Sequence, residues 1–144
     1  MPLAPLPDEL VEFLKRPHAA VISTVRSDGA PYSAATWYDW EDGRVLLNLD
    51  ESRRRLEYLR GDPRVAVTAM QEDAWYKQVS VMGEVVSVEP DRDLRDIDRL
   101  AVRYTGSPFA RRDQPRWSVW VRVDRWFGWN GGAAWPPERA YRPE

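Results

Sequence analysis

Short runs of apolar and β-branched residues, separated by turn signals, dominate the first half of the chain. Such runs predict β-strands, and the Asp28-Gly29 and Asp42-Gly43 pairs between them are typical hairpin turns. Strands that follow one another through tight turns form an antiparallel meander. The strands predicted here span residues 19–25, 32–40, 44–49 and 64–70.

Apolar residues at helical spacing interrupt the strand pattern in three places. A short helix is predicted after Asp8, which can cap it, and before Pro17, which cannot continue it. A second helix is predicted over residues 52–60 with Ser52 as its N-cap, and a third begins near Pro90. Two later strands are predicted over residues 75–88, with a bulge at Gly83, and 117–123.

About six strands and two or three helices, joined mostly by short turns, predict a mainly β protein. The expected architecture is a small antiparallel β-barrel with peripheral helices, because the alternating strand-helix pattern of a parallel sheet is missing. The 144 residues suit a single domain, 1–144, in which residues 131–144 are expected to form a flexible tail.

Composition excludes several kinds of site. The chain has no cysteine and a single histidine, His18, so we expect no metal site and no catalytic triad. Its net charge of −2 argues against general nucleic-acid binding. No run approaches the roughly 20 apolar residues that span a bilayer, and no signal peptide is evident, so we expect a cytoplasmic protein without membrane contact.

The segment "ESRRRLEYLRGDPRV", residues 51–65, places three arginines at the predicted start of a helix. The partial positive charge of a helix N-terminus favours acidic residues there. Arginines in this position become favourable when an anion such as a phosphate binds to the free N–H groups, Ser52, Arg53 and Arg55. The alternative is a solvated surface on which Glu57 and Asp62 pair with the arginines.

The order of these segments resembles the pyridoxamine 5′-phosphate oxidase-like split-barrel proteins, and within them the branch that uses coenzyme F420. The resemblance rests on "VISTVRSDGAPYSAATWYDWEDGRVLLNL", "SRRRLEYLRGDPRVAV" and "WYKQVSVMGEV" in this order, and it covers about residues 8 to 127. It implies a six-stranded antiparallel split barrel of the FMN-binding type. It also implies a homodimer with two cofactor sites at the subunit interface.

The resemblance also implies which residues contact the cofactor. The phosphate is expected at the start of the helix over residues 52–60, and the ring is expected against the strand from Tyr32 to Trp37. Trp37 follows the ring-binding strand and is therefore the candidate substrate contact among eight tryptophans. The predicted cofactor-binding residues are Ser33, Ala34, Ala35, Thr36, Asn48, Ser52, Arg53, Arg55 and Gln78.

The function that these patterns favour is an oxidoreductase that binds F420 and transfers a hydride between the cofactor and a small organic acceptor. Three alternatives remain: an FMN-dependent oxidase or reductase of the same fold, a flavin- or deazaflavin-binding protein without turnover, and an interaction module. No side chain is assigned a catalytic role, because in such enzymes the cofactor supplies the chemistry.

Overall fold

The computed structural model describes residues 1–137. Three α-helices and eight β-strands lie within this part of the chain. The helices are α1 (Asp8–Leu14), α2 (Arg54–Gly61) and α3 (Arg95–Thr105), the last preceded by a 3-10 turn at Arg92–Leu94. The strands are β1 (Ala19–Val25), β2 (Pro31–Thr36), β3 (Asp39–Glu41), β4 (Arg44–Asp50), β5 (Arg64–Gln71), β6 (Ala74–Pro90), β7 (Arg116–Asn130) and β8 (Ala133–Ala134).

The strands form one antiparallel sheet that does not close on itself. Its order is β2-β1-β5-β6-β7-β4-β3, and β8 pairs with β7. The mainly β fold with peripheral helices is therefore confirmed. The strand number is larger than the predicted six, partly because the segment 32–40 divides into β2, which pairs with β1, and β3, which pairs with β4.

Both predicted hairpin turns are present. The backbone N–H of Arg26 donates to the carbonyl of Ala30 across the Asp28-Gly29 turn. In the turn between β3 and β4, Asp42 and Gly43 have φ angles of 51° and 75°. Two successive residues with positive φ match the twist of the flanking strands, which explains the Asp-Gly pair at this position.

The two long strands β6 and β7 form the centre of the sheet. The register between them shifts at Met82/Gly83, which confirms the predicted bulge. A Cβ atom at Gly83 would lie 1.7 Å from the carbonyl oxygen of Arg122 on β7. Glycine is thus required at the bulge because the two backbones approach too closely for any side chain.

The predicted cap of helix α1 is wrong, whereas its predicted end before Pro17 is confirmed. It begins at Asp8, which forms no side-chain cap, and ends at Leu14, before Pro17 is reached. Arg103 of α3 binds the carbonyl groups at this end of the helix, since its guanidinium donates to the carbonyls of Leu14 at 3.0 Å and Arg16 at 2.7 Å. The same side chain donates to the carbonyl of Tyr38 at 2.9 Å. Arg103 therefore ties α3 to α1 and to the link between β2 and β3.

Residues 131–137 of the predicted tail pack on the sheet. Ala133–Ala134 pairs with β7, and Trp135 is buried with its indole N–H donating to Glu9. Gly128 accommodates this segment, because a Cβ there would lie 2.0 Å from the carbonyl oxygen of Trp135. The rest of the predicted tail, residues 138–144, lies outside the described residues.

Candidate functional site

A cleft of about 530 Å³ opens between the start of α2, the ends of β2 and β4, and helix α3. Its walls combine charged, aromatic and aliphatic side chains. The lining residues are Ala19, Ala20, Ala35, Thr36, Trp37, Asn48, Asp50, Arg53, Arg55, Glu72, Ile97, Leu100, Tyr104, Phe109, Arg111, Gln114 and Arg116. A volume and lining of this kind suit a small-molecule or cofactor ligand.

The start of α2 forms the charged end of the cleft. Arg53, not Ser52, is the N-cap residue of α2, and no side chain caps the helix. The prediction for Ser52 as the cap is wrong because its hydroxyl and its backbone N–H both donate to Asp50 Oδ1, the latter at 2.9 Å. Arg53 Nε donates to Asp50 Oδ2 at 3.0 Å. Asp50 thus organises the loop that leads into the helix.

The pKa of Asp50 is lowered from its ordinary value. Burial opposes this shift, but the hydrogen bonds from Ser52 and the charge of Arg53 outweigh it. Asp50 is therefore ionised at neutral pH and neutralises part of the arginine charge around it.

Arg55 is half-buried and carries no ion pair within the described residues. Its Nη1 donates to the carbonyl of Ala35 on β2 at 3.1 Å, while its buried Nε has no hydrogen-bond partner in that part of the chain. Burial lowers the pKa of Arg55, and the nearby charge of Arg53 lowers it further. A buried guanidinium N–H without an acceptor costs free energy, so this position suits a ligand that supplies the acceptor.

A further arginine, Arg116 at the start of β7, enters the same end of the cleft. Its side chain is only 11% exposed, and its Nη1 lies 3.9 Å from Asp50 Oδ2. Its Nε donates to Asn48 Oδ1 at 2.7 Å. The guanidinium lies over the ring of Phe109, 4.8 Å from the centroid. Burial lowers the pKa of Arg116, with Arg53 as a further cause, although Asp50 opposes the shift.

Asn48 fixes the position of the Arg116 side chain. Besides accepting from Arg116, its amide donates to Asp91 Oδ2 at 3.0 Å. Asp91 in turn accepts the backbone N–H groups of Asp96 and Ile97, both at 2.9 Å, and so caps the first turn of α3. A single buried network therefore connects β4, β7 and α3 behind the charged end of the cleft.

The opposite wall of the cleft is aromatic. Trp37 and Tyr104 stack with ring centroids 5.4 Å apart and an interplanar angle of 8°, and Phe109 meets Trp37 edge-on at 6.2 Å. The hydroxyl of Tyr104 donates to the carbonyl of His18 at 2.7 Å. Burial is the main cause that raises the pKa of Tyr104 to about 12. Tyr104 is thus neutral at physiological pH, and its ring is fixed behind Trp37.

The structure brings together most of the residues predicted to bind a ligand, but not all. Six of them line the cleft: Ala35, Thr36, Trp37, Asn48, Arg53 and Arg55. The other four do not line it. Ser33 shares a hydrogen bond with Ser23, Ala34 pairs with Ile22 on β1, Ser52 donates to Asp50, and Gln78 lies on β6 opposite Met70 and Trp129.

Two groups of cleft residues were missed by the sequence reasoning. Arg116 and Phe109 come from a segment with no local motif, and the acidic partner of Arg53 is Asp50, not Glu57 or Asp62. Tyr104 was expected in the core, and it does pack there as well as behind Trp37. The pairing of Asp50 with Arg116 between β4 and β7 joins these parts, and nothing in the local sequence indicates this register.

Residues 1–137 contain neither a metal-binding cluster nor a helix that could span a membrane. No group of three or more histidine, cysteine, aspartate or glutamate residues there could hold a metal ion. None of the helices in that range is both long and apolar enough to cross a bilayer.

Comparison with known proteins identifies the fold. Residues 6–130 match the pyridoxamine 5′-phosphate oxidase family. No curated protein matches the sequence significantly. An F420 reductase is similar in structure, with 25% identity, a TM-score of 0.77, and coverage of 84% of this chain and 98% of that protein.

Two other solved structures share the fold. A conserved hypothetical protein of Mycobacterium tuberculosis is 23% identical with a TM-score of 0.68, and the match covers 89% of this chain and 86% of that protein. General Stress Protein 26 of Bacillus anthracis is 20% identical with a TM-score of 0.65, and the match covers 85% of this chain and 92% of that protein. The chain therefore belongs to the pyridoxamine 5′-phosphate oxidase family and has its flavin-binding oxidoreductase fold.

Proposed function

We propose that this protein is an oxidoreductase that binds coenzyme F420 and transfers a hydride between the cofactor and a small organic acceptor. The observation that carries the proposal is the pair Arg53 and Arg55 at the start of α2. Arg55 has a buried Nε that lacks an acceptor, and a cofactor phosphate supplies one. The structural likeness to an F420 reductase supports the choice of cofactor.

The residues of the cleft fit such a cofactor. Arg53 and Arg55 would hold its phosphate, helped by the uncapped N–H groups of α2. Ala35 and Thr36 at the end of β2 would contact the ring, and the small side chain of Ala35 leaves the backbone accessible. When bound, the deazaflavin or flavin supplies the hydride chemistry.

The protein's own contribution is positioning. Trp37, backed by Tyr104, offers a flat apolar surface for a substrate, while Ile97 and Leu100 of α3 keep that part of the cleft apolar. Holding two reactants in contact can contribute several kcal/mol to catalysis. The Tyr104 hydroxyl is engaged by the carbonyl of His18 and is neutral at physiological pH, so it does not act as a general base.

FMN is the alternative cofactor, since the phosphate contacts serve both. Additional arginines near the phosphate favour F420, because its oligoglutamate tail is acidic. Of the two that the sequence offers, Arg54 is exposed on α2 and forms no ion pair with any residue of the described range 1–137. Arg60 is committed to the ring of Trp117, 4.6 Å from its centroid, and lies 3.9 Å from Glu51. Arg54 is therefore the better candidate for a tail contact.

We further propose that the protein works as a cytoplasmic homodimer on a small-molecule substrate, with neither nucleic acid nor membrane as a partner. Strand β2 supports an interface, because it is an edge strand with exposed residues on both faces. Light scattering with cofactor present should give the mass of two chains. A mass of one chain at micromolar concentration would contradict the dimer.

Turnover separates an enzyme from a cofactor-binding protein. Protein loaded with chemically reduced F420 should oxidise it when a quinone or other small acceptor is added, and much faster than protein-free cofactor does. If the protein binds reduced F420 but no acceptor oxidises the bound cofactor faster than the free cofactor, the protein is a binding protein. That result would contradict the enzymatic part of the proposal.

A further inference from the structure

Phe109 lies where the charged and the aromatic parts of the cleft meet. Its ring stands at 86° to the ring of Trp37, with centroids 6.2 Å apart, so the two rings form a corner. The guanidinium of Arg116 lies 4.8 Å from the centroid of the same Phe109 ring. Phe109 therefore limits how far a flat ligand on Trp37 can extend toward Arg116.

The position of Phe109 depends on a loop. Residues 106–115 connect α3 to β7, and this loop contributes Phe109, Arg111 and Gln114 to the lining of the cleft. Loops change conformation more readily than helices and strands, because fewer packing contacts hold them. The shape of the cleft at Phe109 is consequently set by the contacts that tie this loop to the rest of the protein.

An ion pair between Asp98 of α3 and Arg112 of the loop provides such a tie. Arg112 Nη1 and Nη2 donate to Asp98 Oδ1 and Oδ2 at 2.9 and 3.0 Å, which is a forked, bidentate geometry. The hydrogen bond from Arg112 is the main cause that lowers the pKa of Asp98, so the carboxylate is ionised at neutral pH. Ion pairs near the surface generally stabilise little, but bidentate pairs are the exception.

The same ion pair engages both backbone polar groups of Phe109. Asp98 Oδ1 accepts the Phe109 N–H at 3.0 Å, and Arg112 Nη1 donates to the Phe109 carbonyl at 3.0 Å. These contacts converge on the loop residue whose ring forms the corner with Trp37. Among residues 1–137, the lining of the cleft includes neither Asp98 nor Arg112, so the pair acts on a ligand through Phe109.

We propose that Phe109 determines the size of the acceptor that the cleft takes, and that Asp98 and Arg112 are positioning residues that hold its ring in place. The inference rests on the proposed function, because it takes the aromatic wall at Trp37 as the acceptor site. It adds a substrate class, a flat acceptor small enough to lie in the corner between Trp37 and Phe109. A larger ring system fits once the loop is released.

Release of the loop should act differently on small and large ligands. A small ring on Trp37 loses its contact with Phe109, and an aromatic contact of this kind corresponds to a roughly two- to tenfold change in dissociation constant. A larger ring system gains the space that Phe109 gives up. A general loss of stability would instead weaken the binding of both ligands equally.

The first measurement is the mobility of the Phe109 backbone, from amide nitrogen relaxation of the full-length protein without added cofactor. We expect an order parameter of about 0.85, typical of rigid backbone, in the wild type and below about 0.6 in Arg112→Gln. Arg112→Lys keeps the charge without the fork and should give an intermediate value. Arg26→Gln is the matched control, because Arg26 pairs with Asp28 at 3.1 Å and its side chain is 47% exposed, close to the 49% of Arg112.

The second measurement compares two neutral probes, phenol with a single ring and 2-naphthol with two fused rings, by chemical-shift titration of the same samples. The ratio of the dissociation constant of phenol to that of 2-naphthol should rise about fivefold in Arg112→Gln and in Phe109→Ala. It should match the wild type in Arg26→Gln. Because Arg112 acts through Phe109, the double variant should show no larger ratio than Phe109→Ala alone.

A rigid Phe109 backbone in Arg112→Gln would overturn the inference. So would an equal loss of affinity for both probes, an unchanged ratio in Phe109→Ala, or absence of phenol binding at Trp37. The proposed function is separately at stake, because the probe titrations need no cofactor. Failure of both F420 and FMN to bind refutes only the proposed function, whereas an unchanged probe ratio in a protein that binds cofactor refutes only the size selection.

Discussion

Arg55 can be removed at little cost to the fold, and this makes it a sharp probe of function. Among residues 1–137, its side chain contributes one hydrogen bond, to the carbonyl of Ala35 at 3.1 Å. A single hydrogen bond of this kind contributes about 1 kcal/mol. Against this stand the buried Nε without a partner and the repulsion from Arg53. We therefore expect Arg55→Glu to change the free energy of unfolding by less than about 1 kcal/mol.

Cofactor binding should respond far more strongly. Arg55→Glu removes a charge-assisted hydrogen bond to the phosphate and adds repulsion, which together should weaken binding by at least about 2 kcal/mol. That corresponds to a dissociation constant about 30-fold higher. The affinity is measured from the quenching of cofactor fluorescence, and the stability from urea unfolding followed by tryptophan fluorescence.

Arg54→Glu is the matched comparison, because Arg54 is the exposed neighbour on the same helix, does not line the cleft and is proposed to contact only the acidic tail. It introduces the same charge change one residue away and should weaken binding less than Arg55→Glu. Equal affinity of Arg55→Glu and the wild type would refute the assignment of the phosphate to the start of α2. A large loss of stability in Arg55→Glu would show that Arg55 is a structural residue.

Three further predictions concern the fold and the aromatic wall. Gly83→Ala should lower the free energy of unfolding by more than about 2 kcal/mol, because the added Cβ meets a carbonyl of β7. Gly61→Ala should raise it by about 0.5 kcal/mol, because a Cβ at this helical position meets no atom within 4 Å. Urea unfolding measures both changes. Burial is the main cause that lowers the pKa of His18, so the unfolded chain binds a proton at this imidazole more readily than the folded protein does. The stability contributed by neutral His18 should therefore be fully present above pH 6.5, the ordinary pKa, and should fall as the pH drops below it. In His18→Phe this part of the pH dependence of unfolding should vanish. Trp37→Ala should slow single-turnover oxidation of reduced cofactor through poorer substrate placement, while His18→Ala leaves the hydride step nearly unchanged; loss of that step in His18→Ala with binding intact would contradict the mechanism.

The local sequence predicts features that short-range chemistry decides. The Asp-Gly turns, the bulge at Gly83 and the apolar face of α3 each depend on a few neighbouring residues, and each is present in the structure. Ser52 does not cap α2, because its hydroxyl is turned to the carboxylate of Asp50 and accepts no N–H of the helix. Competition between two plausible partners is settled by tertiary geometry, which a local pattern does not contain.

Arg116 is a cleft residue that the local sequence does not indicate, because its position depends on how distant strands pair. Arg116 reaches the cleft only because β7 pairs with β4 in a register that places it opposite Asp50, 66 residues away in the chain. Likewise, the segment 32–40 reads as one strand, although its two halves pair with different partners on opposite edges of the sheet. Periodicity indicates that a strand exists, but not which strand it pairs with.

The most direct test of the central claim is a parallel titration of the wild-type protein with F420 and with FMN, monitored by cofactor fluorescence. We expect saturable binding of F420 at one site per chain, weaker binding of FMN, and loss of F420 binding in Arg55→Glu. Tighter binding of FMN would transfer the proposal to the FMN-dependent alternative. Absence of binding by both cofactors at high micromolar concentration would contradict the account of the cleft as a cofactor site.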